Sequence, residues 1–461
     1  MLFRSHSAPR AVGRPRDFVN AHSERARQWV HIGSGGFAVL LRWLTWWQAA
    51  MLAIVALAFN LVLLPRLGGR SLYRPSDVAR GFPLGILLYP LAVLLLILTF
   101  PSRLDIVAAA WAILAVGDGT ATLLGTRINS RKLPWNPDKS IAGTSAFIVF
   151  AAFAGVALAS WVRPAVVPLP PLAFTLIAPV AAAIVAAFVE SIPARLDDNL
   201  SVPAAAAVTL WIASLMTPES LAAARGPALS TLPAAIAVNL VTAVLGYLAK
   251  SVSISGAVAG AMVGIVIYTG GGGGAWTLLF AAFLAASITS RMGLRRKVVL
   301  GIAEERGGRR GAGNAIANCG VAAIAAIAAL TTAYRSEALL ALAAALTAGG
   351  SDTVASEIGK AWGRSTFLVT TLGRVRPGTP GAMSAEGTAA GIAAAFALAA
   401  AAAAFGLIPG TAIVVVVVAA TGGALVESAL GATLEGPGIL NNDMLNFINT
   451  AVAAAVALAL A

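Results

Sequence analysis

Five carboxylates carry the chemistry that this chain can offer: Asp118, Glu190, Asp198, Asp352 and Glu427. Each adjoins a long apolar run, where an ionised group is costly and its default reading is function. Two of them sit in the same local grammar. Gly117-Asp118-Gly119-Thr120-Ala121-Thr122-Leu123-Leu124-Gly125 and Ser351-Asp352-Thr353-Val354-Ala355-Ser356-Glu357-Ile358-Gly359 both read Asp-x-x-Ala-(Ser/Thr)-x-x-Gly. The small residues let a backbone approach phosphates, and free N–H groups at a helix start favour anions. A carboxylate in that place would repel a polyphosphate unless a cation lay between them. Asp118 and Asp352 are therefore expected to hold Mg²⁺, which binds phosphates through one or two carboxylates. Glu190 and Asp198 would complete the metal shell or take the proton from an attacking hydroxyl.

A second shared element follows. Ser140-Ile141-Ala142-Gly143-Thr144 parallels Ser384-Ala385-Glu386-Gly387-Thr388, each opening the next apolar run. Two runs later, Val189-Glu190-Ser191 parallels Val426-Glu427-Ser428, with Asn199 after the first and Asn446 and Asn449 after the second. Three elements in one order argue for two homologous halves in parallel orientation. Arg127, Arg131, Lys132 and Lys139 supply positive charge for a phosphoryl transition state in the first half; Lys360, Arg364, Arg374 and Arg376 do so in the second. The loop Glu304 to Gly311 with Arg309 and Arg310, followed by Asn314 and Asn318, suits a phosphorylated substrate gripped by arginine. It serves equally as an ordinary basic loop.

The elements that must position these groups are membrane helices. Of 461 residues, 59% are hydrophobic and 11% charged, and mean hydropathy is +0.85; soluble domains carry about 25% charged residues. The fold class expected is an all-α polytopic membrane protein with about fourteen segments. These lie near 43–64, 84–100, 104–117, 141–162, 171–192, 203–216, 229–249, 253–270, 274–290, 313–333, 336–349, 385–407, 409–430 and 446–461, with 104–117 and 336–349 short for a full crossing. Eleven of the 19 acidic residues fall in 117–144, 190–203, 351–388 and 427–450, under a quarter of the chain. The net charge of +13 comes from basic loops at 65–83, 125–139, 291–310 and 360–376. All four fall on one side of the bilayer, which marks it as cytoplasmic; no nucleic-acid face is implied. The divisions expected are a basic arm over 1–35, a membrane domain over 36–220 and another over 221–461. One crossing at 43–64 would put the arm on the wrong side, and an interfacial piece around 26–42 would repair this. The arm is too long and its apolar stretch too late for a signal peptide.

The single Cys319 excludes an intramolecular disulfide. All three histidines (His6, His22, His31) lie in the first 31 residues, which argues against a histidine base in the membrane body. Gly270 to Gly274 reads as a loop and not as a phosphate-binding motif, since no Lys-Ser/Thr follows.

The first half, over roughly 84–216, resembles the phytol kinase and dolichol kinase family. The resemblance rests on Asp118-x-x-Ala121-x-x-x-Gly125, on Leu133-Pro134-Trp135-Asn136-Pro137-Asp138-Lys139-Ser140-Ile141-Ala142-Gly143-Thr144, and on Glu190-Ser191 with Asp197-Asp198-Asn199. Ala142 is closer to the phytol kinase branch. The second half, over roughly 229–461, resembles the DUF92 family of membrane proteins, which includes a plant phytyl-phosphate kinase. It does so through Gly307-Gly308-Arg309-Arg310, Asn314 to Asn318, Ser351 to Lys360, Ser384-x-Glu386-Gly387-Thr388, Glu427-Ser428, Asn446 and Asn449. Gly363 and Glu386 fill motif positions held by Asn129 and Ala142 in the first half, while Met383 stands where the first half has Lys139.

These resemblances imply a bifunctional kinase that phosphorylates a prenyl alcohol such as phytol and then its monophosphate, with CTP as donor and Mg²⁺ as cofactor. They imply nucleotide contacts at Gly117, Ala121, Gly125, Lys132, Lys139, Ser140 and Gly143, and at Ser351, Ala355, Gly359, Lys360, Gly363, Ser384, Glu386 and Gly387. Catalytic groups would be Asp118, Glu190, Asp198, Asp352 and Glu427. The partners expected are a membrane lipid and a nucleotide, with no nucleic acid and no stable protein partner, in a bacterial inner membrane with sites facing the cytoplasm. Two rivals use the same residues. A cytidylyltransferase would bind the same metal–triphosphate and release pyrophosphate, and a transporter would share the repeats but keep its polar residues near the midplane.

Overall fold

The computed structural model describes residues 27–64, 66–67, 84–192, 197–302 and 309–461. Most of the basic arm, the loop over 68–83 and Glu304 to Gly308 lie outside the described residues. The chain divides into two compact units, the first ending at Ser214 and the second beginning at Leu215.

In unit 1, residues 27–35 form α1 and continue as the 3₁₀ turn Gly36–Arg42. Then come α2 (Trp46–Ala58), α3 (Leu84–Thr99), α4 (Leu104–Arg127), the hairpin β1 (Lys132–Leu133) and β2 (Asn136–Ser140), α5 (Ile141–Val162), α6 (Leu172–Ser191) and α7 (Asp198–Leu215). Unit 2 contains α8 (Pro218–Leu248), α9 (Ile254–Arg291), the short α10 (Leu294–Val299), α11 (Ala312–Thr331) and α12 (Arg335–Trp362). It continues with β3 (Thr366–Leu368), β4 (Arg374–Val375), β5 (Ala382–Ser384), α13 (Ala385–Ala404), α14 (Ile413–Leu430) and α15 (Asn442–Leu460). β3 is the central strand, paired antiparallel with β4 and β5.

Eleven helices among the described residues are long and apolar enough to cross a membrane. The difference from fourteen has three physical sources. The segments expected at 253–270 and 274–290 are one helix, α9, bent at Gly272, whose φ of +80° only glycine adopts cheaply. α3 has 16 residues, short of the roughly 20 that span about 30 Å of hydrocarbon. α7 opens with the polar run Asp198-Asn199-Leu200-Ser201.

The two segments that looked short are the longest surprises. α4 runs through Asp118 to Arg127, and α12 runs through Asp352 to Trp362. Neither aspartate closes a helix or starts one, so the loop and helix-start placement expected for them is corrected. Both helices are also the buried axis of their unit. In its most apolar stretch, 72% of α4 and 78% of α12 is buried, whereas no other span exceeds 44%. Lipid offers helices no hydrophobic drive to associate, so close packing through small residues must do it. α12 meets α9, α11, α13, α14 and α15 through an Ala-, Leu- and Gly-rich surface, and α4 meets α5 in the same way.

The contact between each aspartate helix and the next helix is the same in both units. Ser140 caps α5 by accepting from Gly143 N at 3.2 Å, and Ser384 caps α13 by accepting from Gly387 N at 3.1 Å. Each capped turn presses against the Ala and Gly of the preceding Asp-x-x-Ala-x-x-x-Gly. A Cβ on Gly143 would stand 3.0 Å from the Ala121 carbonyl oxygen, and one on Gly387 would stand 2.6 Å from that of Ala355. A side chain there forces the helices apart. Gly387→Ala is expected to lower stability by about 1–3 kcal/mol through overpacking. Gly260→Ala, where nothing lies within 4 Å, should change it by less than about 0.5 kcal/mol. Thermal unfolding of the detergent-solubilised protein measures both.

Candidate active sites

In unit 1 the hairpin delivers a cation to two carboxylates. Trp135 Nε1 donates to Ser191 Oγ at 3.2 Å, and the buried Asn136 Nδ2 donates to the Ser191 carbonyl at 3.0 Å. These bonds tie β2 to the end of α6 beside Glu190. Asn136 Oδ1 accepts from Asp138 N, which turns the chain so that Lys139 reaches inward. Lys139 Nζ then donates to Glu190 Oε1 and, at 3.3 Å, to Asp198 Oδ2. Oxygens of Asp118, Glu190 and Asp198 all lie within 4.8 Å of one another, close enough to share one divalent ion. Glu190 is buried, and its Oε2 has no hydrogen-bond partner among the described residues. That orphaned oxygen and the crowded charge fit a hard cation.

Electrostatics support the same geometry. Burial pushes the Asp198 carboxyl up to about 7 against the pull of Lys139, and Asp118 and Glu190 add to the rise. Burial opposes the charge on Lys139, but Asp198 and Glu190 outweigh it and hold the ammonium above the ordinary lysine range. Asn199 Nδ2 donates to Asp197 Oδ1 and to the Gly85 carbonyl, which anchors the start of α7 to α3.

Asp118 and Asn199 also line the wall of a second feature, an apolar cavity of about 620 Å³. Its walls come from α1, α2 and α3, including Val30, Leu52 and Val93. The sequence argues against a histidine base in the membrane body, and it is α1, from the N-terminal segment, that places His31 Nε2 3.7 Å from Asp118 Oδ2. Sequence reasoning missed it because the two residues are far apart along the chain and their contact depends on how α1 docks.

In unit 2 Asp352, Ala355, Gly359, Lys360, Ser384, Gly387, Glu427 and Glu435 line one polar cavity of about 290 Å³. Its far wall is the turn Pro377 to Gly381. Asp352 and Glu427 thus converge as their counterparts do, although no third carboxylate joins them within reach of one ion among the described residues. Lys360 Nζ donates to Glu357 Oε1 at 3.1 Å. Glu357 in turn holds Lys297 of α10, whose ammonium also donates to the Ser290 carbonyl at 2.8 Å. Lys297 is 1% exposed and Glu357 2%. Lys297 was indistinguishable in sequence from the basic loop around it.

Other expected contacts are placed elsewhere. Gly117 packs on the Phe147 ring, where a Cβ would stand 2.7 Å from it. Ser351 Oγ donates to the Ala348 carbonyl within α12. Gly363 N donates to the Gly359 carbonyl, and Glu386 accepts from Arg364 N at 3.4 Å. None of these lines its unit's cavity. Lys132 Nζ donates to the Asp138 carbonyl at 3.3 Å, so it braces the hairpin. Ala121 and Gly125 face Gly143, as described above. Arg310, Asn314 and Asn318 line a different, apolar cavity of about 130 Å³ with Trp276, Phe280, Gly349 and Gly350. Arg309 is exposed and outside that lining. Asn446 and Asn449 are buried on α15.

A helical protein with buried carboxylates inside its most enclosed membrane helices is an integral membrane protein built around polar sites. Residues 237–454 match the family described as Integral membrane protein DUF92. The chain is 39% identical over 203 residues to a membrane protein of Synechocystis, covering 43% of this chain and 78% of that protein. It is 36% identical over 237 residues to the chloroplast protein VTE6 of Arabidopsis thaliana, covering 50% and 71%. The chain belongs to the DUF92 family. It is also 33% identical over 130 residues to the chloroplast phytol kinase 1 of Arabidopsis thaliana, covering 28% of this chain and 43% of that kinase. No solved structure matches it.

Removing one partner of a buried ion pair strands the other's charge. Lys297→Met is expected to cost about 3–5 kcal/mol, and the double variant Lys297→Met/Glu357→Leu to recover most of that loss. Denaturation midpoints of the three proteins in detergent provide the comparison.

Proposed function

We propose that the chain is a bifunctional prenol kinase, in which unit 1 phosphorylates a prenyl alcohol such as phytol and unit 2 phosphorylates the resulting monophosphate. The observation that carries this reading is the unit 1 site. An apolar cavity of about 620 Å³, within the range of about 300–1,000 Å³ usual for small-ligand sites, ends at the carboxylate cluster that can hold a metal. A greasy alcohol needs such a groove, and a cytosolic triphosphate needs such a mouth.

The donor in this reading is CTP with Mg²⁺. Asp118, Glu190 and Asp198 would hold the ion, which neutralises phosphate charge and polarises the phosphorus. Lys139 lies between Glu190 and Asp198 and would move onto transferred phosphoryl oxygens. The prenol oxygen attacks the γ-phosphorus and forms the new O–P bond while the bond to the β-phosphate oxygen breaks. CDP leaves, and the hydroxyl proton passes to a neighbouring side-chain acceptor and then to water.

Unit 2 supports the second step. Its polar cavity at Asp352, Glu427 and Lys360 would take the nucleotide, with Asp352 holding the ion. Arg310, Asn314 and Asn318, which line the smaller apolar cavity, would hold the phosphate end of the prenyl phosphate, with the prenyl chain extending beyond that cavity. Both cavities reach α12 within a single turn, one at Gly349 and the other at Asp352. The names of phytol kinase 1 and of the other plant phytol kinases to which the chain is similar agree with the first step.

Purified protein in detergent with phytol and CTP labelled on the γ-phosphate should yield labelled phytyl phosphate and diphosphate. CTP labelled on cytidine should leave the lipid unlabelled; cytidine in the lipid would indicate a cytidylyltransferase instead. Asp118→Ala should lower the first step by about 10²-fold or more. Asp352→Ala should accumulate the monophosphate. Loss of the first step in Asp352→Ala would overturn the assignment of steps to units.

A further inference from the structure

One polar side chain in the unit 1 cavity has no part in the chemistry above. α1 lies against α4 through two close approaches that fix its register. A Cβ on Gly35 would clash with Ala115, and one on Gly119 would clash with Ile32. His31 immediately precedes Ile32 on this helix, and its imidazole lines the cavity. The ring packs edge-on to Tyr89, with centroids 4.6 Å apart and planes at 72°. Tyr89 is itself held by a 2.8 Å bond from Trp111 Nε1. Ser34 Oγ donates to the His31 carbonyl at 2.7 Å, which stiffens the turn.

The two ring nitrogens face different surroundings. The Leu114 carbonyl lies beside the ring, within the π-helical turn Ile113–Asp118. Nε2 points at Asp118 Oδ2, 3.7 Å away, and has no hydrogen-bond partner among the described residues. A neutral imidazole that donates through Nδ1 to a carbonyl keeps a lone pair on Nε2.

We propose that His31 Nε2 accepts the hydrogen bond of the prenyl alcohol's hydroxyl, orienting its oxygen beside Asp118, and thereby selects an alcohol over a phosphate monoester in unit 1. This rests on the kinase reading above. An alcohol brings one donor to a site that offers an acceptor. A monoester brings acceptor oxygens and negative charge against the Nε2 lone pair and against Asp118, Glu190 and Asp198. Such a site discriminates by leaving buried polar groups unpaired when the wrong substrate enters.

The test uses the full chain in detergent, with phytol or phytyl phosphate and γ-labelled CTP. His31→Leu, similar in bulk but without an acceptor, should lose roughly 10- to 100-fold in kcat/KM for phytol. KM for CTP and the rate with phytyl phosphate should stay at the wild-type values. His31→Gln, which restores an acceptor, should recover part of the loss. If His31→Leu matches wild type on phytol, or lowers both steps alike with no rescue by His31→Gln, the role of His31 is overturned. Wild-type protein that transfers no label to phytol would instead overturn the kinase reading, so the two failures are distinct.

Discussion

A carboxylate in the middle of an apolar helix must be enclosed by protein, and the rest of the structure follows from that constraint. Asp118 and Asp352 each stand inside a helix long enough to cross a bilayer. Facing lipid, either would cost several kcal/mol. The helices that carry them are instead the most buried of their units, and that burial requires neighbours able to come close. The small residues beside each aspartate serve this purpose, together with a serine-capped turn of the next helix. The motif that reads as a phosphate-binding signature is thus also a helix-packing signature, since Gly125 and Gly143, or Gly359 and Gly387, meet backbone to backbone.

The two units meet the constraint with different cations. In unit 1 the lysine comes from the hairpin, as Lys139, and lies directly on Glu190 and Asp198. In unit 2 Met383 occupies that place, and the lysine comes from the aspartate helix itself, two turns after Asp352. Lys360 would be free to leave were it not for Glu357, and Glu357 could not be buried without Lys297. Unit 1 has Leu123 and Thr126 at the corresponding positions. Each carboxylate site thus has a lysine beside it, drawn from the hairpin in unit 1 and from the aspartate helix in unit 2. A point charge on a flexible stem can arrive from several directions.

Much of this was legible in the sequence, for a physical reason. Ionisable residues are so rare in apolar helices that Asp118, Glu190, Asp198, Asp352 and Glu427 stand out one by one, and their shared order gives their grouping. Trp135 and Asn136 belonged to a recognisable motif, although only the structure gives them the task of pinning β2 to Ser191. Helix limits were less legible. Asp-Gly-Thr after Val116 reads as an end because those residues are poor helix formers, yet α4 continues because its small face is packed on α5. The five glycines from Gly270 read as a loop for the same reason, and packing carries α9 through them with one bend. His31 and Lys297 were illegible. Nothing local distinguishes a histidine that docks beside Asp118 from one on a solvated arm, or a buried lysine from its exposed neighbours.

Each unit also places a π-helical turn next to an acidic residue, Ile113–Asp118 in unit 1 and Gly431–Glu435 in unit 2. Such turns are uncommon and tend to mark functional sites. Their effect here is geometric. An extra residue in one turn rotates everything after it and leaves a carbonyl out of the regular ladder. In unit 1 this leaves the apolar face of Leu104–Ala112 on the core while Asp118 faces the cavity, and it sets the Leu114 carbonyl beside His31. In unit 2 the wider turn at Gly431 admits the backbone of Gly381, whose amide a Cβ on Gly431 would approach to 3.2 Å. That approach brings the Pro377 to Gly381 turn over Asp352 and Glu427 and closes the polar cavity.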